Sequence, residues 1–572
     1  MLDMRATKLF TKTSKTVPAD ETAKNAQLLI QAGFIHKEMA GVYVYLPLGL
    51  IVLEKIKQIV REEMNAVDSQ ELMMTTLQPK ELWEKTDRWD DSKVDNWFKT
   101  KLASGAELGV GLTHEEPVVD AVSQYLKSYK DMPFSVYQIQ NKFRNELRAK
   151  NGLLRGREFV MKDAYSFATS DLQHKEIYEK IASAYTKVYD RLGIGDITFR
   201  TKADGGYFTE KLSDEYQTMS QAGEDKVFFV KEDNIYYNQE VAPSKALDLD
   251  LKDEPLADFQ EVKAENIIGA TELAKHFKLR LEQTTKTIFY TSASGKMIAA
   301  VVRGDYDINE IKLARSAGIS SLLLANEETV KKITGASVGY AGLINLPAEV
   351  DIFVDESCQN LMNFEMGTNK TGYHAINVNW GRDVKQPAQY YDIKVAKEGD
   401  INPETGKKYA MHRAVEVGNI FPLESKYTDA LGLYYSDQNG DNQSIIMGCY
   451  GIGISRLMGV LAELFADDKG LVWPESVAPF KVFLAQIGVD DQVSAECQKL
   501  YDELSNDAIE VFWDDRQVRP GEKFADADLY GIPYRLVVSQ KTIQSGVYEL
   551  KKRTDNDLKM INKNELFKIL AS

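Results

Sequence analysis

The stretch of sequence that decides the fold is Met447-Gly448-Cys449-Tyr450-Gly451-Ile452-Gly453-Ile454-Ser455-Arg456. Its alternating small residues predict a strand whose backbone can lie close to a flat ligand, followed directly by the start of a helix. The guanidinium of Arg456 can fork two hydrogen bonds onto a phosphate. Taken alone, the pattern is equally typical of a tightly packed strand and helix start, so the segments upstream decide between the two.

Two regions upstream, 143–163 and 51–79, precede the glycine-rich segment in a fixed order along the chain. Residues 143–146 (FRNE) and 155–163 (RGREFVMKD) pair an Arg-x-Glu strand with a strand that carries arginine, an aromatic residue and an acid. Farther upstream, an apolar-periodic helix is predicted for 51–64, and a short strand at 71–74 leads to Pro79. In this order the three segments resemble motifs 1, 2 and 3 of the class II aminoacyl-tRNA synthetases.

The phrases between these motifs narrow the resemblance. Residues 112–116 (LTHEE), 137–140 (YQIQ), 161–167 (MKDAYSF) and 378–383 (VNWGRD) are most similar to the bacterial prolyl-tRNA synthetase family, and the resemblance runs from about residue 10 to the C-terminus. It implies an α+β class II catalytic domain, built as an antiparallel sheet with flanking helices. It also implies an inserted α/β editing domain and a C-terminal α/β anticodon-binding domain.

The length and the changes of pattern along the chain predict several domains. A chain of 572 residues is too long for one core at about 150 residues per domain. The pattern changes after residue 225, and a fresh strand-helix alternation begins near residue 480. The catalytic domain is predicted in two segments, 1–225 and 400–475. The editing insertion lies between them at 226–399, and the anticodon-binding domain follows at 476–572.

Composition limits the class of protein. Three cysteines, Cys358, Cys449 and Cys497, occur at spacings that match neither a zinc site nor a disulfide framework, so no zinc is expected. The longest apolar run, 42–53, is interrupted by proline and glycine and is too short to span a bilayer. The amino terminus lacks the apolar core of a signal peptide. We therefore expect a cytoplasmic protein without membrane association.

The net charge bears on a nucleic-acid partner. A formal charge of −16 argues against such a partner when it is taken over the whole chain. Charge is local, however, and a large acidic enzyme can carry one basic face. Arg516, Arg519, Lys523 and the run 551–553 are candidates for that face, and ordinary solvated charges are the alternative.

The predicted reaction sets the demands on the activation site. Forming an aminoacyl adenylate requires a carboxylate to attack the α-phosphorus of ATP, so the site must neutralise phosphate charge without needing a base. The resemblance implies that Arg144 contacts the α-phosphate and the amino-acid carboxylate, and that Arg456 reaches the γ-phosphate. It further implies that Glu146 and Phe159 hold the adenine, with Phe159 stacked on it, and that Arg155 contacts the bent triphosphate. Arg144, Arg456 and Glu146 are the predicted catalytic residues.

Magnesium is expected on the phosphates of ATP, because a hard dication prefers oxygen ligands and keeps much of its shell as phosphate and water. The ion is therefore predicted to be carried by ATP and not by a cage built from protein alone. Glu146 and Glu416 are the candidate carboxylate ligands.

Thr113 and Glu115 resemble the family's Thr-x-Glu pair, which receives the secondary ammonium of proline. An NH2+ group has two donors and can be shared by a hydroxyl and a carboxylate. The alternative is a helix start with Thr113 as N-cap and Glu115 in the first turn. Arg144, Phe167 and Cys449 complete the predicted proline site. His114, which lies between the pair, is expected to be structural.

A second, hydrolytic site is expected, because a pocket that fits proline cannot exclude the smaller alanine or the similar cysteine. The resemblance places this editing site in the insertion, with Lys286, His374 and Asp355 at its functional positions. A solvated strand-end lysine is the alternative for Lys286. The chain departs from the family pattern at 264–265, which reads Ala-Glu, and at Leu343. It departs nearer the synthetic site with Asn419 and Asp214, where the family has histidines.

The last expectations concern tRNA and assembly. By resemblance, the C-terminal domain binds the anticodon of tRNA(Pro), and Asp515, Arg516 and Arg519 follow a strand and open a helix where unpaired bases can be recognised. Enzymes of this family pair through motif 1, which predicts a homodimer built on 51–79. The alternatives are a threonyl, histidyl or glycyl synthetase, a non-catalytic tRNA-binding paralogue, and a chain that acts only as a deacylase.

Overall fold

The computed structural model describes residues 4–249, 254–292, 294–319 and 322–571. The chain divides into two compact units. The first comprises Met1–Phe199, Gly205–Gly223 and Val415–Ser572, and the second comprises Arg200–Asp204 and Glu224–Ala414. The segment predicted as an insertion falls within the second unit. None of the helices in the described ranges combines the length and the apolar character that crossing a membrane requires.

The first stretch of the chain alternates helices and strands. The helices are α1 Lys24–Gln31, α2 Pro47–Asn65, α3 Lys80–Glu84, α4 Glu115–Val122 and α5 Asp171–Arg191. The strands are β1 Ile35–Met39, β2 Val42–Tyr45, β3 Gln70–Glu71, β4 Leu77–Pro79, β5 Lys99–Lys101, β6 Glu107–Val110, β7 Phe134–Phe143, β8 Glu158–Ala168 and β9 Thr198–Ala203.

The middle stretch is richer in strands. These are β10 Ser213–Met219, β11 Asp225–Val230, β12 Ile235–Asn238, β13 Gln260–Lys263, β14 Thr285–Ser292, β15 Met297–Arg303, β16 Leu322–Leu324, β17 Asp351–Val354, β18 Phe364–Gly367, β19 Tyr373–Val378 and β20 Ala410–Glu424. Its helices are α6 Ala270–Phe277, α7 Glu310–Ala317 and α8 Glu327–Thr334.

The last stretch returns to alternation. Its helices are α9 Lys426–Ala430, α10 Ile454–Leu464, α11 Asp491–Asn506, α12 Pro520–Tyr530, α13 Gln540–Ser545 and α14 Lys563–Ala571. Its strands are β21 Tyr434–Ser436, β22 Asn442–Ser444, β23 Ile446–Gly453, β24 Val482–Ile487, β25 Val511–Asp514, β26 Tyr534–Ser539, β27 Tyr548–Lys552 and β28 Leu558–Ile561.

An antiparallel sheet forms the centre of the first unit. Strand β8 pairs with β7 on one side and with β23 on the other, and β23 pairs with the second half of β20. Strand β3 extends the sheet in parallel with β7. The glycine-rich strand therefore lies inside the sheet, with a partner on each side.

Helices cover one face of this sheet. Helices α5 and α10 pack on the strands, and α2 packs against both helices. Each helix presents an apolar stripe, such as Val52, Ile56 and Val60 on α2, which are fully buried. Burial of such stripes is the main driving force for docking helices on a sheet. These three helices leave the opposite face of the sheet uncovered, and the candidate active site lies on that face.

Two elements of motif 1 differ from the predicted bounds. Helix α2 begins at Pro47, four residues before the predicted start, because proline is well suited to the first turn, where its missing N–H is not needed. Strand pairing stops at Glu71, although the amide of Leu72 still donates to the carbonyl of Tyr137. Beyond it, the Met74 amide donates to the Gln138 side chain, so a side chain replaces the ladder.

A five-stranded sheet forms the C-terminal part of the first unit. Strands β25, β24 and β26 run parallel, as the alternation of strand and helix predicts, and β27 and β28 continue the sheet in antiparallel fashion. The part is anchored near the amino terminus, where Arg5 lies over the ring of Trp513 at 4.4 Å and Thr7 binds the carboxylate of Asp515.

The second unit contains two further sheets. In the larger sheet, β14 pairs antiparallel with β15 and β16, and β15 pairs in parallel with β17. In the smaller sheet, β19 lies between β13 and β18. A core that includes Phe289, Val301, Val354 and Phe364 is buried between these elements. The same unit contains an antiparallel hairpin of β11 and β12, beside residues 410–414 of β20.

Candidate active site

The register of the central sheet decides which residues share the open face. Cys449 lies opposite Tyr165 and Gly451 lies opposite Asp163 on β8. Because side chains alternate along a strand, these residues point to one face. A Cβ at Gly451 would meet nothing nearer than 3.8 Å, whereas a Cβ at Gly448, on the helix side, would lie 2.4 Å from the Tyr450 hydroxyl. Packing therefore requires the glycine at 448, and the glycine at 451 leaves room above the strand.

The predicted proline residues meet around the carboxylate of Glu115. The hydroxyl of Thr113 lies 2.9 and 2.8 Å from the two carboxylate oxygens. The thiol of Cys449 donates to Oε1 across 3.1 Å. Thr113, Glu115 and Cys449 are all buried, and burial, then Glu115, raises the pKa of the Cys449 thiol. This thiol is therefore a neutral donor to the carboxylate.

Glu115 also begins helix α4, as the helix-start interpretation predicts. The N-cap position is occupied by His114, and its side chain makes no capping hydrogen bond. The Thr113 hydroxyl is directed at the carboxylate and does not cap the helix. The helix start and the ammonium-binding pair are thus compatible, because α4 presents its first-turn carboxylate to the sheet.

Sequence reasoning missed Arg88 and Glu116, which lie directly behind Glu115. The Arg88 Nη1 donates to Glu115 Oε2 at 3.2 Å and to both oxygens of Glu116 at 2.9 and 3.0 Å. Thr86 adds a hydrogen bond of 2.7 Å to Glu116. Both residues are buried. No local periodicity signals them, because Arg88 follows a short helix in a loop between tryptophans.

Aromatic rings enclose the Arg88 guanidinium. Its central carbon lies 4.7 Å from the centroid of Trp83, and the rings of Tyr207, Phe208 and Tyr427 lie at 5.2–5.3 Å. Burial acts to lower the pKa of Arg88, but Glu116, Tyr427 and Glu115 outweigh it and raise the pKa well above the usual value. The guanidinium is a fixed positive charge in an apolar shell.

His114 is structural, as predicted. Its Nε2 lies 2.9 Å from the carbonyl oxygen of Thr75, and its Nδ1 lies 2.8 Å from the Lys142 ammonium. This pattern makes Nε2 the donor and Nδ1 the acceptor. Burial, together with Lys142, lowers the pKa of His114 to about 4. Lys142 also binds Asp163 at 2.8 Å, so a buried ion pair supports the floor of the site.

Arg144 and Phe159 lie close together where β7 ends and β8 begins. The guanidinium carbon of Arg144 is 5.4 Å from the Phe159 ring centroid. Among the described residues, its buried Nε has no hydrogen-bond partner. Burial raises the pKa of Tyr207, and the charges of Arg144 and Arg88 oppose that shift. Tyr207, a further residue that sequence reasoning missed, therefore lies within the field of both arginines.

The remaining predicted nucleotide residues form two ion pairs. Arg155 donates from Nε and Nη2 to Glu146 Oε2 at 3.0 and 2.7 Å. Arg456 donates from Nε to the Leu154 carbonyl at 2.8 Å and from Nη1 to Glu416 Oε2 at 3.0 Å. Each arginine thus has a carboxylate partner within the chain.

The two candidate carboxylate ligands of magnesium are each engaged by an arginine. Both Glu146 and Glu416 are paired with arginines. Over the ranges that the structure describes, no group of three or more His, Cys, Asp or Glu side chains is placed to hold a metal ion.

Phe167 is as fully buried as Glu115. Its ring is fully buried and stacks on Phe134 at a centroid distance of 5.1 Å. It belongs to the apolar cluster that also contains Val118, Val119 and Cys449. Phe167 therefore lies on the same face of the sheet as Cys449 and in the same apolar cluster.

Asp214 and Asn419, the two departures from the family pattern near this site, each contact another polar side chain. The Asp214 carboxylate accepts a hydrogen bond of 2.9 Å from the Tyr178 hydroxyl. Asn419 lies opposite Gly451 on β20, and its amide is 3.5 Å from Glu215 Oε1. Asn419 is thus the departure that borders the glycine of the open face.

In the second unit, His374 belongs to a buried pair. Its Nδ1 lies 2.7 Å from Glu365 Oε1, and both side chains are buried. Among the described residues, His374 Nε2 has no hydrogen-bond partner. The rings of Tyr340 and Phe277 lie 5.2 and 6.4 Å from the imidazole. Burial raises the pKa of Glu365, a residue that sequence reasoning missed.

The structure places Lys286 and Asp355 two strands apart at one end of the larger sheet. Lys286 donates to the Tyr306 carbonyl and to Asp307 Oδ1, both at 2.7 Å. Asp355 is fully buried and accepts hydrogen bonds from the amides of Ser357, Ile393 and Lys394. Asp355 thus caps a turn, whereas Lys286 keeps its end at the surface.

The predicted anticodon residues differ in their surroundings. Arg516 donates to both oxygens of Asp514 at 2.9 and 2.7 Å and to Asp526 at 2.7 Å. Asp515 accepts from the amide and hydroxyl of Thr7 at 3.0 and 2.7 Å. Arg519 is exposed at the start of α12. Arg516 is therefore largely structural in this arrangement, and Arg519 is presented to solvent.

Two family matches cover most of the chain. Residues 98–465 match the tRNA synthetase class II core domain (G, H, P, S and T), and residues 481–572 match an anticodon-binding domain. A crystal structure of the prolyl-tRNA synthetase from Cryptosporidium parvum, complexed with halofuginone and AMPPNP, superposes with a TM-score of 0.58. It covers 96% of this chain and 76% of that chain at 12% identity, which supports the fold alone.

Curated relatives are similar over their whole length. The proline–tRNA ligase of Moorella thermoacetica is 40% identical over 96% of this chain and 95% of its own. That of Geobacillus kaustophilus is 40% identical over 96% of both chains. That of Bacillus cereus is 37% identical over the full length of both.

The antiparallel sheet, its glycine-rich strand and the matched core and anticodon-binding domains define a class II aminoacyl-tRNA synthetase. Within that class, the full-length similarity to its curated relatives is decisive. The chain belongs to the proline–tRNA ligase family, of the bacterial type. The resemblance inferred from the motifs is thereby confirmed.

Proposed function

We propose that this chain activates proline with ATP to prolyl-adenylate and transfers the prolyl group to the 3′ end of tRNA(Pro). The observation that carries the proposal is the buried Glu115 carboxylate with Thr113 and Cys449 directed at it. A secondary ammonium has two donors, and this cluster offers it a carboxylate and a hydroxyl. Membership of the proline–tRNA ligase family supports the same substrate.

Positioning and electrostatics supply the rate in this proposal. Arg144 neutralises the α-phosphate and the proline carboxylate, while Phe159 stacks on the adenine. Arg456, already oriented by Glu416, binds the γ-phosphate, and Arg155, oriented by Glu146, binds the bent tail. Magnesium would be carried by ATP and would polarise the phosphate oxygens, with Glu146 and Glu416 as the candidate protein ligands.

We further propose that the enzyme acts as a cytoplasmic homodimer that recognises tRNA(Pro) through its C-terminal part. The region 51–79 exposes Met73 and Leu77, at 83% and 53%, which suits pairing through motif 1. Arg519 is the proposed contact for the anticodon, with Asp515 and Arg516 shaping the strand end behind it. No zinc is assigned to any part of the enzyme.

The second unit is proposed to hydrolyse mischarged Ala-tRNA(Pro). The pair of His374 and Glu365 supports this role, because the buried imidazole lies 5.2 Å from the Tyr340 ring and its Nε2 has no hydrogen-bond partner among the described residues. Lys286 would hold a phosphate of the tRNA end, and Asp355 would fix the turn at the same end of the sheet. The proposed editing domain spans residues 226–399.

Measurement of ATP–pyrophosphate exchange tests the main proposal. The purified protein is assayed with proline, alanine, cysteine, threonine, histidine and glycine. Strong dependence on proline with weaker alanine and cysteine signals is expected. Preference for threonine, histidine or glycine would assign another synthetase, and silence with all six amino acids would leave a tRNA-binding or deacylase role.

A further inference from the structure

The pocket around Glu115 contains an unusual arrangement of charge. Glu115 and Glu116 are consecutive in the chain, are both fully buried and lie in the first turn of α4. Two neighbouring carboxylates out of water repel each other and favour protonation of one of them. Arg88 is the cation that touches both of them. Its position therefore controls how much negative charge the pocket holds.

The contacts of Arg88 are unequal. It approaches both oxygens of Glu116, at 2.9 and 3.0 Å, but only one oxygen of Glu115, at 3.2 Å. Thr86 further fixes Glu116 from the other side. The guanidinium charge is thus committed mainly to Glu116. Glu115 keeps the carboxylate that faces Thr113 and Cys449.

The aromatic shell makes this division rigid. Trp83, Tyr207, Phe208 and Tyr427 surround the guanidinium and exclude water that would otherwise screen it. The guanidinium is close to both carboxylates, so removing one carboxylate strengthens the interaction of the guanidinium with the other. Burial, Arg88 and Glu115 act on Glu116 in opposite senses, with burial the largest influence in raising its pKa.

We propose that Arg88, anchored by Glu116, is a positioning residue that sets the pocket to accept a single substrate cation at Glu115. With both carboxylates ionised, Glu115, Glu116 and Arg88 together carry one net negative charge, which one ammonium neutralises. Without Glu116, Arg88 would form an ion pair with Glu115 alone and would compete with the substrate ammonium for that carboxylate. Without Arg88, the two carboxylates would share a proton, and Glu115 would lose charge. The inference rests on the proposed binding of the proline ammonium by Glu115.

A double-mutant cycle tests this assignment. The variants are Arg88→Met, Glu116→Gln and the double variant, and the readout is proline-dependent ATP–pyrophosphate exchange. Each single change is expected to raise the KM for proline about tenfold or more, because an unbalanced buried charge is costly. The KM for ATP is expected to stay within about twofold, because the ATP-binding groups are not touched. The double variant restores one net negative charge at Glu115.

The behaviour of the double variant decides between positioning and a merely structural role. Its KM for proline is expected to return to within about threefold of the wild type, since coupled residues are not additive. Damage in the double variant equal to or greater than that of either single variant would overturn the inference. Equal KM values in the wild type and both single variants would overturn it as well.

Two controls keep the outcome interpretable. Circular dichroism and thermal unfolding of each variant show whether it folds, and Arg88→Lys, which keeps the charge, provides a milder change if Arg88→Met does not fold. Arg88→Lys is expected to fall between Arg88→Met and the wild type in its KM for proline. Wild-type protein that shows no exchange with proline would refute the proposed function itself, whereas an active wild type with an unrescued double variant refutes only the role of Arg88.

Discussion

The thiol of Cys449 donates a hydrogen bond of 3.1 Å to the carboxylate of Glu115, which lies 334 positions earlier in the chain. The contact joins the glycine-rich strand to the first turn of α4. It holds Glu115 over the open face of the sheet, beside the space above Gly451. The fold therefore builds the proposed ammonium site from two segments that are distant in sequence.

The Cys449 hydrogen bond is expected to contribute to proline affinity. Cys449→Ala removes one donor to the carboxylate and should raise the KM for proline about fivefold, in line with about 1 kcal/mol per hydrogen bond. The kcat for exchange should change little. Cys497→Ala is the matched control, because Cys497 is equally buried but lies in the C-terminal core. An identical rise in both variants would assign the effect to loss of packing.

Glu115 is expected to be far more important for proline than Cys449. Glu115→Gln preserves the shape of the side chain but removes the charge that receives the ammonium. The kcat/KM for proline should fall about 10²-fold, since charge-assisted hydrogen bonds are strong and the site excludes water. The KM for ATP should be unaltered. Glu38→Gln, at an exposed position on β1, is the control.

A Glu115→Gln enzyme with normal proline kinetics would remove the basis for the proposed pocket. In that event, the helix-start interpretation would account for Thr113 and Glu115 without any substrate contact. The measurement is pyrophosphate exchange at varied proline concentration, with thermal unfolding to verify the fold of the variant.

The His374 imidazole is expected to act in deacylation and not in activation. His374→Ala should lower hydrolysis of Ala-tRNA(Pro) by about 10-fold or more, because it removes the buried imidazole that is held by Glu365. Proline-dependent exchange should be unchanged. His276→Ala is the control, because His276 is exposed on α6 of the same unit. Absence of wild-type deacylation would refute the proposed editing role before any variant is made.

Sequence patterns predicted the central elements because each has a local signal. The glycine-rich strand follows from short-range spacing and composition, and the Thr113 and Glu115 pair follows from a short phrase that resembles the family's Thr-x-Glu pair. Arg88 has no such signal, because only the tertiary structure brings it to Glu116, and Glu365 meets His374 across the β18–β19 pairing, which no pattern in the sequence indicated. Asp355 was predicted from resemblance, and its hydrogen bonds to three backbone amides could not be inferred from its neighbours in sequence.

The same limit applies to charge. The sequence singled out Arg553 as part of a basic run, but its guanidinium binds both oxygens of Asp467 at 2.7 and 2.6 Å. Arg516 is likewise committed to Asp514 and Asp526. A run of basic residues indicates an exposed face only where the fold supplies no acidic partner, and that depends on contacts between distant segments.

The buried His114 predicts a pH dependence of stability. Its pKa is about 4 in the folded chain, against about 6.5 for an unperturbed histidine, because burial and Lys142 disfavour the charged imidazole. Between these two values the unfolded chain binds a proton that the folded chain rejects. The free energy of unfolding should therefore fall as the pH drops from about 6.5 to 4, by about 3 kcal/mol from this group.

His114→Gln should reduce that loss, because glutamine can occupy the site without titrating. The test is the midpoint of denaturant unfolding of both proteins at several values between pH 6.5 and pH 4, with His36→Gln at an exposed position as control. The two curves should converge toward acid pH, since the wild type loses its advantage there. Parallel curves would mean that His114 gains its proton in the folded state and that Lys142 does not exclude it.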